Sequence, residues 1–199
     1  MKIVPLFFQY SGGAFVEFYH EKDENRLHSV VNWIVDIAVV IAFACYLVYG
    51  FGGRIEVNGG SMKPALDSGD VVLVNRLAYA LGSPRRFDIA VFSQGDQTFN
   101  MKRIIGLPGE TVQIRENQVY INGELLADEH YGKEVMLDPG IAAESITLGD
   151  DEYFVLGDNR NHSSDSRDQS VGVLRRKGLI GRDWVRIWPF SDIGFIRHD

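Results

Sequence analysis

The first residue that could carry chemistry is a serine in a glycine-rich turn. Ser61 follows Gly59 and Gly60 and opens the run 61–66, which contains a proline. Glycines let another backbone approach closely, as when an extended peptide lies beside a strand, and a proline ends a central strand and favours a turn. The pattern therefore indicates a serine held at the end of a strand. A plain surface turn is the alternative, and it is the commoner meaning of so short a motif.

The second candidate is a lysine within an apolar, strand-like stretch, residues 100–105. With the two-residue period of a strand, Lys102 and Arg103 point to opposite faces, so one of these cations faces inward or reaches across a surface. Burial disfavours the charged form of a lysine, and a fall of about two to three units from the ordinary pKa of ~10.4 would make it a usable general base. A lysine at a sheet edge that extends its ammonium group into water is the alternative that this segment alone favours.

A polar loop that follows an apolar strand is the third candidate. The run 157–167 is dense in side chains that form hydrogen bonds, and Asp165 and Arg167 have the spacing to lie on one side of an extended chain and pair. A solvated loop is the alternative. The five histidines are scattered, and no cysteine–histidine group has the spacing of a zinc site. The sequence therefore predicts neither a metal site nor a cofactor.

The elements that must position these residues begin with one long apolar segment. Residues 30–51 supply about 20 predominantly apolar positions, enough at about 1.5 Å per residue to cross a hydrocarbon core of about 30 Å, so the sequence predicts a transmembrane helix. Asp36 is the one charged residue of the segment, and it can sit near the headgroups because it lies close to the start. The alternatives are a buried helix of a soluble protein and a cleaved secretory signal, for which the apolar run starts too late.

Beyond residue 52 the sequence is typical of short strands. Alternating or continuous apolar runs stand at 54–58, 70–75, 87–92, 98–105, 111–115, 118–121 and 152–156. The sequence therefore predicts a mainly β fold over 52–199, with a small β-hairpin region at about 111–150. The aromatic-rich segment 1–29 is expected to be a loose tail or to lie at a membrane interface.

Charge and cysteine content narrow the possible functions. The formal net charge is −7 at pH 7, whereas a nucleic-acid-binding domain needs a basic face, so we expect no nucleic-acid partner. Cys45 is the only cysteine and lies in the apolar segment, which excludes a disulfide within the chain.

Together these segments resemble the type I signal peptidase, or leader peptidase, family in its compact bacterial serine–lysine form. Residues 60–66 are similar to its S-M-x-P-T-L box, with Ala65 in place of the usual threonine, and residues 69–75 are similar to its second box. Residues 102–110 are similar to K-R-[VI]-[IV]-G-x-P-G-[DE], and 157–167 to G-D-N-R-x-x-S-x-D-S-R. The four boxes follow one another in the family's order behind an apolar segment, and the resemblance covers nearly the whole chain.

The resemblance implies an N-terminal transmembrane helix followed by an antiparallel β-sheet catalytic domain, with the N-terminus in the cytoplasm and the catalytic domain outside the cell membrane. It implies that Ser61 is the nucleophile and Lys102 the general base that takes its proton. Ser163 would orient the lysine amine. Asp165 and Arg167 would form an ion pair that holds the loop, and Arg103 could join them.

The resemblance also implies how a substrate would bind. The backbone N–H of Ser61 would donate to the oxyanion, and the serine that some members carry two residues earlier is Gly59 here. The substrate would be a preprotein whose signal peptide binds as an added strand and is cut after a small-x-small, or A-x-A, site. The residues expected to contact it are Val57, Asn58, Gly59, Gly60, Met62 and Pro64.

The function that follows is a monomeric serine endopeptidase, anchored in the lipid bilayer, that removes signal peptides. Trp188 and Phe190 are further candidates for contact with lipid, although at least one of them is expected to pack in the core. One alternative is a catalytically silent, membrane-anchored β-domain that binds signal peptides or partner proteins. A repressor-cleaving autoprotease is disfavoured by the acidic chain and the apolar segment. A serine–histidine–aspartate hydrolase would have to use His162, and the sequence contains no G-x-S-x-G elbow.

Overall fold

The computed structural model describes residues 24–93, 99–127 and 134–197. Most of the predicted N-terminal segment 1–29 lies outside these residues, as do His20, His130 and His198.

One long helix, α1, spans Glu24–Phe51. Contacts within the chain divide it into two units, Met1–Cys45 and Tyr46–Asp199, and most of α1 belongs to the first. The stretch His28–Tyr46 has a mean hydropathy of 2.0, and none of it is buried. Among the described residues it is the one helical stretch long and apolar enough to cross a membrane. The apolar helix expected at 30–51 is therefore present, and its insertion into a membrane stays a prediction.

The second unit is built from strands. In chain order they are β1 (Gly52–Glu56), β2 (Val71–Asn75), β3 (Ile89–Ser93), β4 (Phe99–Gly106), β5 (Thr111–Arg115), β6 (Gln118–Ile121), β7 (Glu124–Leu125), β8 (Ile146–Thr147), β9 (Glu152–Leu156), β10 (Leu174–Arg175), β11 (Leu179–Trp188) and β12 (Gly194–Phe195). A larger sheet has the order β1-β2-β11-β3-β4-β9-β10, with β12 paired to β11, and a smaller sheet has the order β7-β6-β5-β8. Neighbouring strands pair in antiparallel fashion, so the predicted mainly β fold class is confirmed.

Short helical segments interrupt the strands. They are α2 (Leu77–Leu81) and three 3₁₀ turns at Gly140–Ala143, Arg176–Gly178 and Phe190–Asp192. The α2 helix was not predicted, because a five-residue segment is too short to show a helical period. It begins where the Asn75 side-chain oxygen accepts the N–H of Ala78 at 3.0 Å, and it buries Tyr79.

The hairpin expected around residues 116–117 is formed by β5 and β6. Glu116 and Asn117 both have positive φ, at 52° and 63°, which is the backbone of the two-residue turn that matches the twist of antiparallel strands.

The apolar core that supports the serine turn lies against the larger sheet. It contains Ile55, Val57, Met62, Leu66, Val72, Val74, Ile89, Val91, Met101 and Ile196. Because Met62 and Leu66 belong to this core, their buried side chains fix the turn that carries Ser61. Burial of each of these two side chains stabilises the fold by on the order of 1.5–3 kcal/mol.

Candidate active site

The serine turn lies between β1 and β2. At its base, Val57 N–H donates to the Asp70 carbonyl at 2.8 Å and Gly69 N–H donates to the Val57 carbonyl at 2.9 Å. Gly59 has a φ of 91°, a conformation that a residue with a side chain adopts only under strain. These two backbone hydrogen bonds close the turn, and Ser61, which the turn carries, is half-buried.

Lys102 approaches the serine from the middle of the larger sheet. Its strand, β4, pairs with β3 from Phe99 to Arg103 and with β9 from Arg103 to Gly106. The Lys102 Nζ lies 2.8 Å from the Ser61 Oγ, within hydrogen-bond distance. Only 4% of Lys102 is exposed, so the alternative in which the lysine extends into water at a sheet edge is wrong.

The burial of Lys102 changes its chemistry. Desolvation lowers the pKa of the Lys102 ammonium group, and the nearby charge of Asp165 offsets part of this effect. A larger fraction of the amine is therefore neutral near physiological pH than in an exposed lysine, and a neutral amine can accept the proton of a hydroxyl group.

The polar loop 157–167 contains an ion pair that holds it in place. Asp165 and Arg167 pair directly, with Arg167 Nε 2.8 Å and Nη2 2.9 Å from the two carboxylate oxygens. Arg167 also donates to the Asp138 and Arg160 carbonyls at 3.0 and 2.5 Å. This pair thus cross-links the loop to the segment around residue 138.

Arg103 pairs with a residue that the sequence did not single out. Its guanidinium group donates to both carboxylate oxygens of Asp158, at 2.8 and 2.6 Å, and to the Phe87 carbonyl at 2.7 Å. Both side chains of the pair are fully or almost fully buried. The expectation that Arg103 could join Asp165 and Arg167 stays a prediction.

Asn159 was also missed as a site residue, although it stands within the Gly-Asp-Asn-Arg run. Its backbone N–H donates to the Ser61 carbonyl at 3.0 Å, and its side-chain amide donates to the Gly60 carbonyl at 3.1 Å. Asn159 therefore joins the polar loop to the backbone of the serine turn. Its place as the asparagine of the G-D-N-R box is a signal that the sequence offered.

Ser163 lies close to this junction. A β-carbon built on Gly157 would stand 2.2 Å from the Ser163 Oγ and 2.6 Å from the Ser61 carbonyl oxygen, so only glycine fits there. The Ser163 Oγ is buried and makes no hydrogen bond in this structure. The bond that the sequence predicts between Ser163 and the Lys102 amine is therefore not formed here, and the orienting role of Ser163 stays a prediction.

The residues expected to contact substrate fall into two groups. Val57 and Met62 have buried side chains, 5% and 1% exposed, so only their backbones can face a ligand. Asn58, Gly59 and Pro64 are exposed and Gly60 is partly exposed. The side chain of His162 is exposed, which does not fit the buried base of a serine–histidine–aspartate triad. Among the described residues, no group of His, Cys, Asp and Glu is placed to hold a metal ion.

Asp183 on β11 is a buried acidic residue that lies close enough to Arg103 to be affected by its charge. It is fully buried, and neither carboxylate oxygen has a hydrogen-bond partner. Burial raises the pKa of Asp183 to about 8, although the charge of Arg103 opposes the shift. The carboxyl group is therefore mostly protonated at pH 7 in the folded protein.

This gives a testable pH dependence of stability. Between the unfolded pKa of ~3.9 and the folded value of about 8, the folded state holds a proton that the unfolded state has lost, so stability falls as pH rises. Asp183→Asn removes this slope. We expect the melting temperature of the wild type, relative to Asp183→Asn, to fall by several degrees from pH 5 to pH 8. Thermal unfolding in detergent measures it, with the exposed Asp150→Asn as control. Parallel curves for wild type and Asp183→Asn would contradict the assignment.

The chain is similar to known proteins. Residues 30–188 match the family described as signal peptidase, peptidase S26. The chain is 34% identical over 174 residues to signal peptidase I of Bacillus caldolyticus, covering 82% of this chain and 92% of the relative. It is 34% identical over 182 residues to signal peptidase I S of Bacillus subtilis (strain 168), covering 86% and 97%.

A probable signal peptidase I-2 of Synechocystis is 37% identical over 150 residues, which cover 72% of this chain and 66% of the relative. A crystal structure of a signal peptidase I from Enterococcus faecalis V583 is 38% identical, and the match covers 50% of this chain and 96% of that chain with a TM-score of 0.41.

Proposed function

Because the chain belongs to the signal peptidase family, peptidase S26, we propose that it is a serine endopeptidase that removes signal peptides from preproteins by means of a Ser61–Lys102 dyad. The observation that carries the proposal is the buried Lys102 amine, 2.8 Å from the Ser61 hydroxyl group. A buried amine beside a hydroxyl group is an activated nucleophile with its base. A silent binding domain has no need of this pair.

The proposed reaction has two stages. The neutral Lys102 amine takes the proton of Ser61 as Oγ attacks the scissile carbonyl carbon, and the ammonium group then gives that proton to the departing amine, so the mature protein leaves. Lys102 next takes a proton from water as the water oxygen attacks the acyl carbon, and the ammonium group returns this proton to Ser61 Oγ as the bond between Oγ and the acyl carbon breaks, so the signal peptide leaves with a free carboxyl group. The backbone N–H of Ser61 would donate to the oxyanion in both stages.

We propose that the substrate lies as an extended strand between two parts of the larger sheet. The exposed segment Asn58–Gly60 precedes the serine, and β9 pairs with β4 only from Arg103 onwards, directly after the lysine. A peptide there would bring its scissile bond to the dyad through backbone hydrogen bonds. Pro64 is exposed on the same turn. Since Val57 and Met62 have buried side chains, they would contribute through their backbones.

Attachment to a membrane forms part of the proposal. Residues 30–51, which contain most of the apolar stretch His28–Tyr46, would span the bilayer as a single helix, with residues 1–29 in the cytoplasm, residues 52–199 outside as a monomer, and a small β region at about 111–150. Exposed aromatic rings on the second unit support contact with lipid, because Trp188 and Phe190 are 48% and 74% exposed and their rings lie 4.8 Å apart. Aromatic rings favour the headgroup region.

The test is cleavage of a preprotein by the full-length protein in liposomes, with the product identified by its new N-terminus. We expect a cut after a small-x-small site. A leucine in place of the small residue just before the cut should lower kcat/KM by about 10- to 100-fold, since a shallow pocket rejects added carbon atoms by roughly 1–3 kcal/mol. His162→Ala serves as the matched control in the polar loop and should cleave at the wild-type rate within about threefold.

Two results would contradict the proposal. A wild-type protein that binds several preproteins without cutting them would favour the binding-domain alternative. A large loss of activity in His162→Ala would favour a histidine base.

A further inference from the structure

Arg186 on β11 makes two contacts with the second half of the loop 57–70 that carries the serine. Its strand lies beside β2, where Arg186 is in register with Val72. One guanidinium nitrogen, Nη2, donates to the Ala65 carbonyl at 2.5 Å, and the other, Nη1, lies 3.2 Å from the Asp70 Oδ2. A single side chain thus contacts the far limb of the serine turn, which is the segment 62–66 after the serine, and Asp70 just before β2.

The contacts of Asp70 extend this connection through the loop. Its Oδ2 also accepts the Asp67 N–H at 2.9 Å, and its carbonyl accepts the Val57 N–H at 2.8 Å. Asp70 itself is buried, with 4% exposed. The Arg186–Asp70 pair therefore lies where the two limbs of the loop meet.

The serine sits between two supports. On the near limb, Asn159 binds the Gly60 and Ser61 carbonyls. On the far limb, Arg186 binds the Ala65 carbonyl, and one turn of backbone, closed by the Leu66 N–H to Met62 carbonyl bond of 2.9 Å, separates this point from the serine. If the Arg186 contact is lost, the backbone around the hydroxyl group keeps the Asn159 hydrogen bonds and the buried Met62 and Leu66 side chains, but it loses the hydrogen bond that fixes it at Ala65.

Arginine is the residue that this geometry requires. The Arg186 Nε is buried without a hydrogen-bond partner, so both contacts come from the two terminal nitrogens, which a planar guanidinium group holds at a fixed angle. A lysine ammonium group is a single point and cannot reach both acceptors with the same geometry. The contact at residue 65 is made to the backbone, so it is independent of the alanine that replaces the family's threonine there.

We propose that Arg186 is a positioning residue for the nucleophile: it holds the serine turn so that the Ser61 Oγ stays within reach of the Lys102 Nζ. The inference rests on the proposed function, because it assigns Arg186 to the same reaction. A displacement of about 1 Å at a reacting atom lowers a rate by about 100-fold. Arg186 touches neither member of the dyad in the contacts described, and its effect would pass through the backbone.

The test compares Arg186→Met, Arg186→Lys and Asp70→Asn with wild type in preprotein cleavage. We expect kcat to fall about 10- to 100-fold in both Arg186 variants and about tenfold in Asp70→Asn, with KM unchanged within about threefold, because the nucleophile is displaced and the peptide-binding strands are not. Arg175→Met is the matched control. It removes the same charge from a residue whose side chain is 62% exposed on β10, and it should keep the wild-type kcat.

A purely structural role is separated by a second measurement. Val119→Ala in the core of the smaller sheet lowers stability away from the site, and kcat is compared between this variant and the Arg186 variants at equal melting temperature. Equal kcat in that comparison would overturn the proposal, as would a wild-type kcat in Asp70→Asn or Arg186→Lys. If Arg186→Met does not fold, those two milder variants decide. A wild type that fails to cleave would instead count against the proposed function.

Discussion

Replacing Lys102 with methionine is expected to lower kcat for preprotein cleavage by about 10³-fold, in the middle of the range of about 10²- to 10⁴-fold that a general base contributes. Methionine keeps an unbranched side chain in a position that is 4% exposed and carries no group that takes a proton from the serine. Single-turnover rates with enzyme in excess measure the chemical step directly. Lys177→Met, an exposed lysine on the same unit, removes the same charge and should leave the rate unchanged.

The dyad also predicts how the losses combine. Ser61→Ala should lose at least as much as Lys102→Met, and the double variant should be no slower than Ser61→Ala alone, because residues that act as one unit give non-additive losses. Losses that multiply would show that the 2.8 Å contact is not the one that activates the serine. Full activity in Lys102→Met would remove Lys102 from the mechanism.

The pH profile provides an independent check on the base. Only the neutral amine accepts a proton, so kcat should rise with pH through the pKa of Lys102. Because burial lowers that pKa, the rise should lie below the ordinary lysine value of ~10.4. A rise centred on the ordinary value would indicate that Lys102 is exposed to water in the working enzyme.

Local sequence patterns predicted the apolar helix and the strands β1 to β6 and β9, whereas the pairing of Ser61 with Lys102 was implied by the family resemblance. Alternation identified β4 and β5, and glycine and proline identified the serine turn, because these signals depend on neighbours within a few residues. The same rule also indicates which of the predicted substrate contacts would be made by the backbone. Val57 continues the alternation of Ile55, so its side chain points into the core, whereas Asn58 points outward.

The contacts that position the site could not be predicted from the sequence, because they depend on the order of the strands in the sheet. Asp158 pairs with Arg103, and Arg186 reaches Ala65 and Asp70, across distances in sequence that no local period records. The insertion of β11 between β2 and β3 creates the Arg186 contacts. It also buries Asp183, whose polarity alone would have placed it at the surface.

The buried pair of Arg103 and Asp158 should show the largest effect on stability. Removing one partner leaves an uncompensated buried charge, which costs about 3–5 kcal/mol, whereas removing both in favour of apolar residues of similar volume is often neutral. We therefore expect Asp158→Leu to lower the free energy of unfolding by about 3–5 kcal/mol. The double variant with Arg103→Met should be clearly more stable than Asp158→Leu, although the Phe87 carbonyl loses its donor.

Urea or thermal unfolding in detergent measures this cycle, and the exposed Lys63–Asp67 pair, with side chains 50% and 59% exposed, is the control that should change stability little. Arg103 follows Lys102 directly, and Asp158 precedes Asn159. The double variant therefore also tests whether the pair aligns the lysine with the serine turn, separately from its effect on stability. It should fold and yet cleave more slowly than wild type, since the bidentate contact between the lysine strand and the loop that holds the serine carbonyl is gone. A double variant as unstable as the sum of its single changes would show that Arg103 and Asp158 stabilise the fold independently of each other.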